Sequence, residues 1–199
     1  MELTSFLRPV ALLAGPAAVV AAVLLAAGLI TVGEDEILTS PLVLASSSAL
    51  LIALLGIGAT ALAALARLRV EGRGAAGPAI AAVGSVLVAG GTWATLFVQP
   101  AIAAKAPDLL EVALPSVVVG YAASYGVFCV GWIWTGVALV RARLVPTWLG
   151  VLLSVTGALA VVPGPSAFRL LLIGIAATLL ARQLAEPLRV QIPAGASAV

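Results

Sequence analysis

An all-α bundle of transmembrane helices is the fold this sequence predicts. Three observations predict it: an apolar share too large for a water-soluble domain, apolar runs of membrane-spanning length, and arginines gathered on one side of those runs. Of the 199 residues, 63% are hydrophobic and 9% charged, with a mean hydropathy of +1.24. Soluble domains carry about a quarter charged residues and roughly half apolar ones. The solvent for this surface is therefore lipid. There every backbone polar group needs a partner within its own segment, so the spans must be helical.

A span takes about 20 apolar residues to cross ~30 Å of hydrocarbon. Six runs are read as spans, at about 10–32, 42–66, 78–98, 117–140, 147–162 and 167–184, within one transmembrane domain 1–199 that ends in a short tail, 186–199. The first run is longer than the 7–15-residue apolar core of a signal peptide and reads as a span. The fifth, with 16 residues, reaches only ~24 Å at 1.5 Å per residue. Residues 147–184 are read as two spans, with a re-entrant hairpin about Pro163-Gly164-Pro165-Ser166 as the alternative. Trp148 is then an interface anchor, and Arg169 snorkels outward.

Six crossings put Arg8, Arg67, Arg69, Arg73, Arg141, Arg143, Arg182 and Arg189 on one side, and Lys105 and Arg169 on the other. Glu34, Asp35, Glu36, Asp108 and Glu111 accompany the two, while Glu2, Glu71 and Glu186 accompany the eight. One side is net positive and the other net negative. The positive-inside rule places both termini in the cytoplasm of a multi-pass plasma-membrane protein.

The composition excludes much chemistry. With no histidine, the usual haem, zinc and imidazole-base sites are missing. Cys129 is the only cysteine, so neither an intrachain disulfide nor a CxxC pair exists. No phosphate-cradling glycine motif occurs, and Lys105, the one lysine, lies in a loop rather than in a span where retinal would need it. No cofactor, metal or nucleic-acid partner is expected.

Two patterns mark helix faces. Gly77, Gly84 and Gly91 recur every two turns and predict a close helix–helix contact along the third span. In the fourth, Gly120, Ser124, Gly131 and Thr135 form a small-residue face beside an aromatic stripe of Tyr121, Tyr125, Phe128 and Trp132. Such a stripe is usually core packing. The functional alternative is a pocket for an apolar or cationic guest, favoured by Tyr125, whose phenol needs a polar partner at that depth. A weak echo links LARLRVEGRGAAGPAIAAVG with LVRARLVPTWLGVLLSVTG, mostly through composition.

Residues 99–116 are the outer loop. Pro107-Asp108 reads as the start of a short helix, 107–114, with Leu110 and Leu114 on one face and Asp108 and Glu111 on another. The loop is expected to lie as a lid over a cleft between spans three and four, where Trp93, Phe97, Gln99, Tyr121 and Tyr125 converge. The acids supply the wetness an outer loop needs; they are otherwise candidates for cation binding or for a general acid.

FVQPAIAAKAPDLL, GYAASYGVFCVGW and GVALVRARLVPTWLGVLLSVTGAL together resemble a group of small actinobacterial integral membrane proteins catalogued as uncharacterised. The resemblance covers residues 84–185. It implies a multi-span architecture and brings no activity with it.

Three function classes follow. The first is a binder of a lipid or small hydrophobic or cationic molecule in the outward cleft, using Trp93, Phe97, Gln99, Tyr121, Tyr125, Phe128 and Trp132. The second is a membrane-embedded enzyme on an isoprenoid or lipid, terpene-cyclase-like, with Asp108, Glu111 or Glu34 as the initiating acid. The third is a structural subunit, homo- or hetero-oligomeric through its glycine faces. An ion-coupled transporter is disfavoured, because only Arg169 is ionisable within a span.

Overall fold

The computed structural model describes residues 3–32, 39–106, 108–112 and 114–185, with the side chains of 3–6, 110 and 111 left out. Among these residues the chain forms α1 (Leu3–Leu12), α2 (Ala14–Thr31), α3 (Pro41–Val70), α4 (Ala76–Phe97), α5 (Gln99–Lys105), α6 (Asp108–Glu111), α7 (Pro115–Arg141), α8 (Thr147–Leu159) and α9 (Ser166–Ala185), with no strand. Five segments are long and apolar enough to cross a membrane: Leu7–Thr31, Pro41–Val70, Ala76–Lys105, Pro115–Arg141 and Ser166–Ala185. The protein is an all-helical, multi-pass membrane protein.

The predicted fifth span is the exception. With 13 residues, α8 is ~20 Å long and falls short of the hydrocarbon thickness. It still runs antiparallel to α7. Gly150 lies against Val140 and Gly136, and Gly157, two turns later, lies against the Trp132 Cβ.

The helix pairs that meet through glycines run antiparallel. Gly28 meets Val43 while Gly56 meets Ala14, so α2 and α3 are antiparallel; Gly15 meets Thr178 and Gly174 meets Ala18, so α2 and α9 are too. The last turns of α3, α7 and α9, carrying Arg67, Arg69, Arg141 and Arg182, therefore gather at one end, here called the arginine end. Pro16 cannot supply a backbone N–H in the first turn of α2. The adjacent Gly15 N–H instead donates to Thr178 Oγ1 at 2.7 Å, which ties α2 to α9.

The predicted glycine face is real, and its partner is α7. A Cβ on Gly77 would lie 2.7 Å from the Thr135 nitrogen, and one on Gly84 would lie 2.5 Å from the backbone of Phe128. Gly131, from the small-residue face of α7, returns the contact onto Ala81 and Ile80. These glycines are filled by the chain's own helices, so the oligomer expected through them has no open glycine face there. By contrast Gly90, Gly120 and Gly126 face open space.

Two helices end in the same device. At the end of α3 the Gly72 N–H bonds to Arg69 O and the Arg73 N–H to Leu68 O, with Gly72 at φ +64°. At the end of α7 the Arg143 N–H bonds to Val140 O and the Leu144 N–H to Leu139 O, with Arg143 at φ 56°. Both are Schellman caps, which favour glycine at the left-handed position. A left-handed L-residue costs roughly 1–2 kcal/mol. Arg143→Gly should therefore stabilise the protein, by about 1 kcal/mol after the entropy glycine adds to the unfolded chain; a thermal melt in detergent reads the gain.

Candidate functional site

The aromatic stripe of α7 divides in two. Phe128 and Trp132 are fully buried and tilted against each other, 6.3 Å between ring centroids, within the main core. They are packing residues. Tyr121, farther toward the start of α7, is partly exposed and donates its hydroxyl to Gly91 O at 3.3 Å. Tyr125, between these groups, is 7% exposed, belongs to the same core and also meets an arginine.

That arginine is Arg169, and its placement corrects the expectation that it snorkels outward. Its guanidinium carbon lies 4.3 Å from the centroid of the Tyr125 ring, within cation–π range. Nη1 donates to Ala160 O at 3.2 Å. Ala160 is the C-cap of α8, so the guanidinium also meets the negative end of that helix. Nε is buried and has no hydrogen-bond partner among the described residues.

The shortness of α8 explains why a cavity lies here. α7 and α9 have no direct backbone packing; α8 touches both and holds them apart. Because α8 stops at Leu159, the wedge ends below the level of Tyr125, and the space beyond it is left to side chains. A cavity of about 130 Å³ results, lined by Ser47 of α3, Thr92 and Thr95 of α4, Tyr121 and Tyr125 of α7, and Ser166 and Arg169 of α9. It is recessed: Tyr125 lies ten residues into α7, or ~15 Å along its axis.

The polar groups of this cavity are of two kinds. Thr92, Thr95 and Tyr121 commit their O–H groups to Val88 O and, for the last two, Gly91 O. The hydroxyls of Ser47, Tyr125 and Ser166 have no hydrogen-bond partner among the described residues. No aspartate or glutamate lines the cavity among the described residues. It thus offers free O–H and N–H donors and a positive charge. A second cavity of about 230 Å³ adjoins through Tyr121 and Gly91, lined by Leu87, Val88, Val117, Gly120 and Ser124. It lies between the third and fourth predicted spans and is largely apolar; of the residues expected in a cleft there, Tyr121 alone lines it.

Several predicted members are elsewhere. Trp93 and Phe97 tilt against each other with ring centroids 5.3 Å apart, are 52% and 55% exposed, and line neither cavity. The reason is helical phase: Gly91 faces α7, and positions two and six residues later point away from it at 100° per residue. Gln99 begins α5 and lines neither cavity. The described part of the loop does not form the expected lid. α5 packs only on α4 and α6, and α6 only on α5, so neither covers α7 or α9. Asp108 is exposed in α6, the side chain of Glu111 is outside the described residues, and Glu34 lies outside them altogether.

No family model, no curated protein and no solved structure matches this chain. What the site does has to be argued from its own residues. The signal for Arg169 was in the sequence as a charged residue within an apolar run, but its direction was not: that depends on where α8 stops.

Proposed function

We propose that this integral membrane protein binds an amphiphile with a small anionic headgroup. The carboxylate or phosphate sits beside Arg169, and the apolar remainder lies in the adjoining cleft between α4 and α7. Within this reading the arginine end faces the cytoplasm with both chain termini, the cavity faces outward, and the chain is one of the small actinobacterial proteins it resembles.

One observation carries the reading. Arg169 is a partly buried cation in a cavity of free hydroxyl donors, with neither a carboxylate beside it nor a partner for its Nε among the described residues. Charged side chains at membrane depth are costly and normally paired; a bound anion supplies the missing charge and acceptors. At ~30 Å³ per water, 130 Å³ takes one small polar group and little more. A purely structural Arg169 would account for the bond to Ala160 and the contact with Tyr125, but not for Nε or the three free hydroxyls.

The same geometry weighs against the other readings. The Tyr125 face proposed for a cationic guest is covered by the protein's own cation. A carbocation chemistry would have to proceed beside Arg169 with no described acid at the cavity.

The test is the thermal stability of the purified protein in zwitterionic detergent, titrated with a medium-chain carboxylate, the matched alkyl phosphate and the matched alkylamine. The anions should raise the melting temperature and the amine should not. Equal effects of all three would reject an anionic site. Asp108→Asn should leave both the titration and the basal stability unchanged, within about 0.5 kcal/mol for an exposed substitution. Loss of the response in that variant would move the site to the loop.

A further inference from the structure

At the arginine end, far from Arg169, a larger groove lies between the start of α4 and the last two turns of α7. It has a volume of about 600 Å³ and is lined by Arg73, Gly77, Ile133, Trp134, Val137 and Arg141, among others. We infer that this groove holds one anionic phospholipid, its phosphate between Arg73 and Arg141 and one acyl chain along α7.

Charge is the first argument. Arg73 and Arg141 are both exposed, line the same groove, and have no ion-pair partner among the described residues; no acid lines the groove with them. The chain brings them together by two local devices. The Schellman cap about Gly72 fixes the backbone of Arg73 just before α4, and Arg141 is the last residue of α7. Two guanidiniums present a fork-shaped array of donors suited to phosphate oxygens. The uncapped start of α4 adds its positive dipole at the same place.

Shape is the second. Gly77 lets the backbones of α4 and α7 touch at Trp134 and Thr135, which closes the floor of the groove. Ile133, Val137 and Ala138 continue from the arginines as an apolar wall. Trp134 is 53% exposed beside them, the amphipathic ring typical of the membrane–water interface. A basic head with an apolar trough leading into the membrane fits a lipid rather than a free ion. Basic pockets between transmembrane helices bind anionic headgroups in this way.

The experiment places the whole protein in nanodiscs of phosphatidylcholine with a minority of phosphatidylglycerol and counts retained lipids by native mass spectrometry. One phosphatidylglycerol should be retained in preference to phosphatidylcholine. At about fivefold per arginine, Arg73→Gln with Arg141→Gln should weaken that preference about 30-fold. Arg73→Lys with Arg141→Lys should keep most of it. Arg182→Gln, at the same end but outside the groove, should not change it. Val137→Trp leaves both charges in place and fills the trough, and should abolish retention. No preference in the wild type, or an equal loss in Arg182→Gln, would overturn the inference. So would equal occupancy by inorganic phosphate, which needs no trough. The Arg169 cavity is untouched by these variants, so the two sites fail or succeed separately.

Discussion

Gly131→Leu is expected to destroy the folded bundle, and Gly131→Ala to cost about 3 kcal/mol. Even a methyl group there would fall on the backbone of Ala81 and Ile80. A flexible side chain could move aside, but two helix backbones must separate along their length. Overpacking a tight core costs typically 1–3 kcal/mol and sometimes more. Here the separation also loosens Phe128, Trp132 and Tyr125, all buried beside the α4–α7 contact, and large aromatics carry ~3–5 kcal/mol each when truncated. Gly84→Leu should behave alike, since its Cβ meets Phe128 Cα and N at 2.5 Å. Gly126→Leu is the control: nothing lies within 4 Å of that position. Reversible unfolding in mixed micelles should separate the variants. A normal melt for Gly131→Leu would mean that α4 and α7 are not in backbone contact.

Arg169→Gln should abolish the stabilisation by anionic amphiphiles. At a ligand concentration of 100 Kd the wild-type protein gains about 2.7 kcal/mol by mass action. The variant keeps an amide that can still reach a carbonyl, but it has no charge to hold an anion. Its stability without ligand should change little, because two effects oppose each other. The contact with Tyr125 and the charged bond to Ala160 are lost, worth ~0.5–2 and ~1.5–3 kcal/mol. Against that, the variant no longer desolvates a cation, a cost of several kcal/mol at membrane depth. Arg169→Lys keeps the charge and loses the planar fork, so it should retain a weakened response. A variant that melts lower without ligand yet responds normally to anions would make Arg169 a structural clasp.

The parts of this account legible in the sequence are those set by composition and one-dimensional spacing. Long apolar runs marked α2–α4 and α7–α9 to within a few residues, because lipid permits no other backbone solution, while α1 and α5 lie mostly outside them. The seven-residue glycine spacing gave the packing face of α4, since two turns return a residue to the same side. The aromatic stripe was correctly placed on one face of α7, yet its use was not readable. Phe128 and Trp132 are core while Tyr125 borders a cavity, and the difference is made by Gly157 packing on Trp132 and by α8 ending soon after.

Arg169 shows the same limit from the other side. Three residues from the start of a span, an arginine can reach water by pointing outward, and hydropathy favours that choice. Its inward direction depends on Ala160 and Tyr125, nine and 44 positions away in the chain. Trp93 and Phe97 lie off both cavities for a plainer reason: proximity in sequence to a cleft does not place a side chain on the right arc of the helix. The groove at the arginine end is not legible in the sequence, where Arg73 and Arg141 read only as topology signals. Their meeting needs the α4–α7 contact at Gly77.

The most direct measurement is native mass spectrometry of the protein extracted gently from its own membrane, comparing wild type with Arg169→Gln. The account predicts one stoichiometric anionic amphiphile on the wild-type protein that is missing from the variant, with the lipids held at the Arg73–Arg141 groove the same in both. An identical set of adducts in wild type and Arg169→Gln would contradict it, leaving the recessed cavity as packing geometry without a ligand.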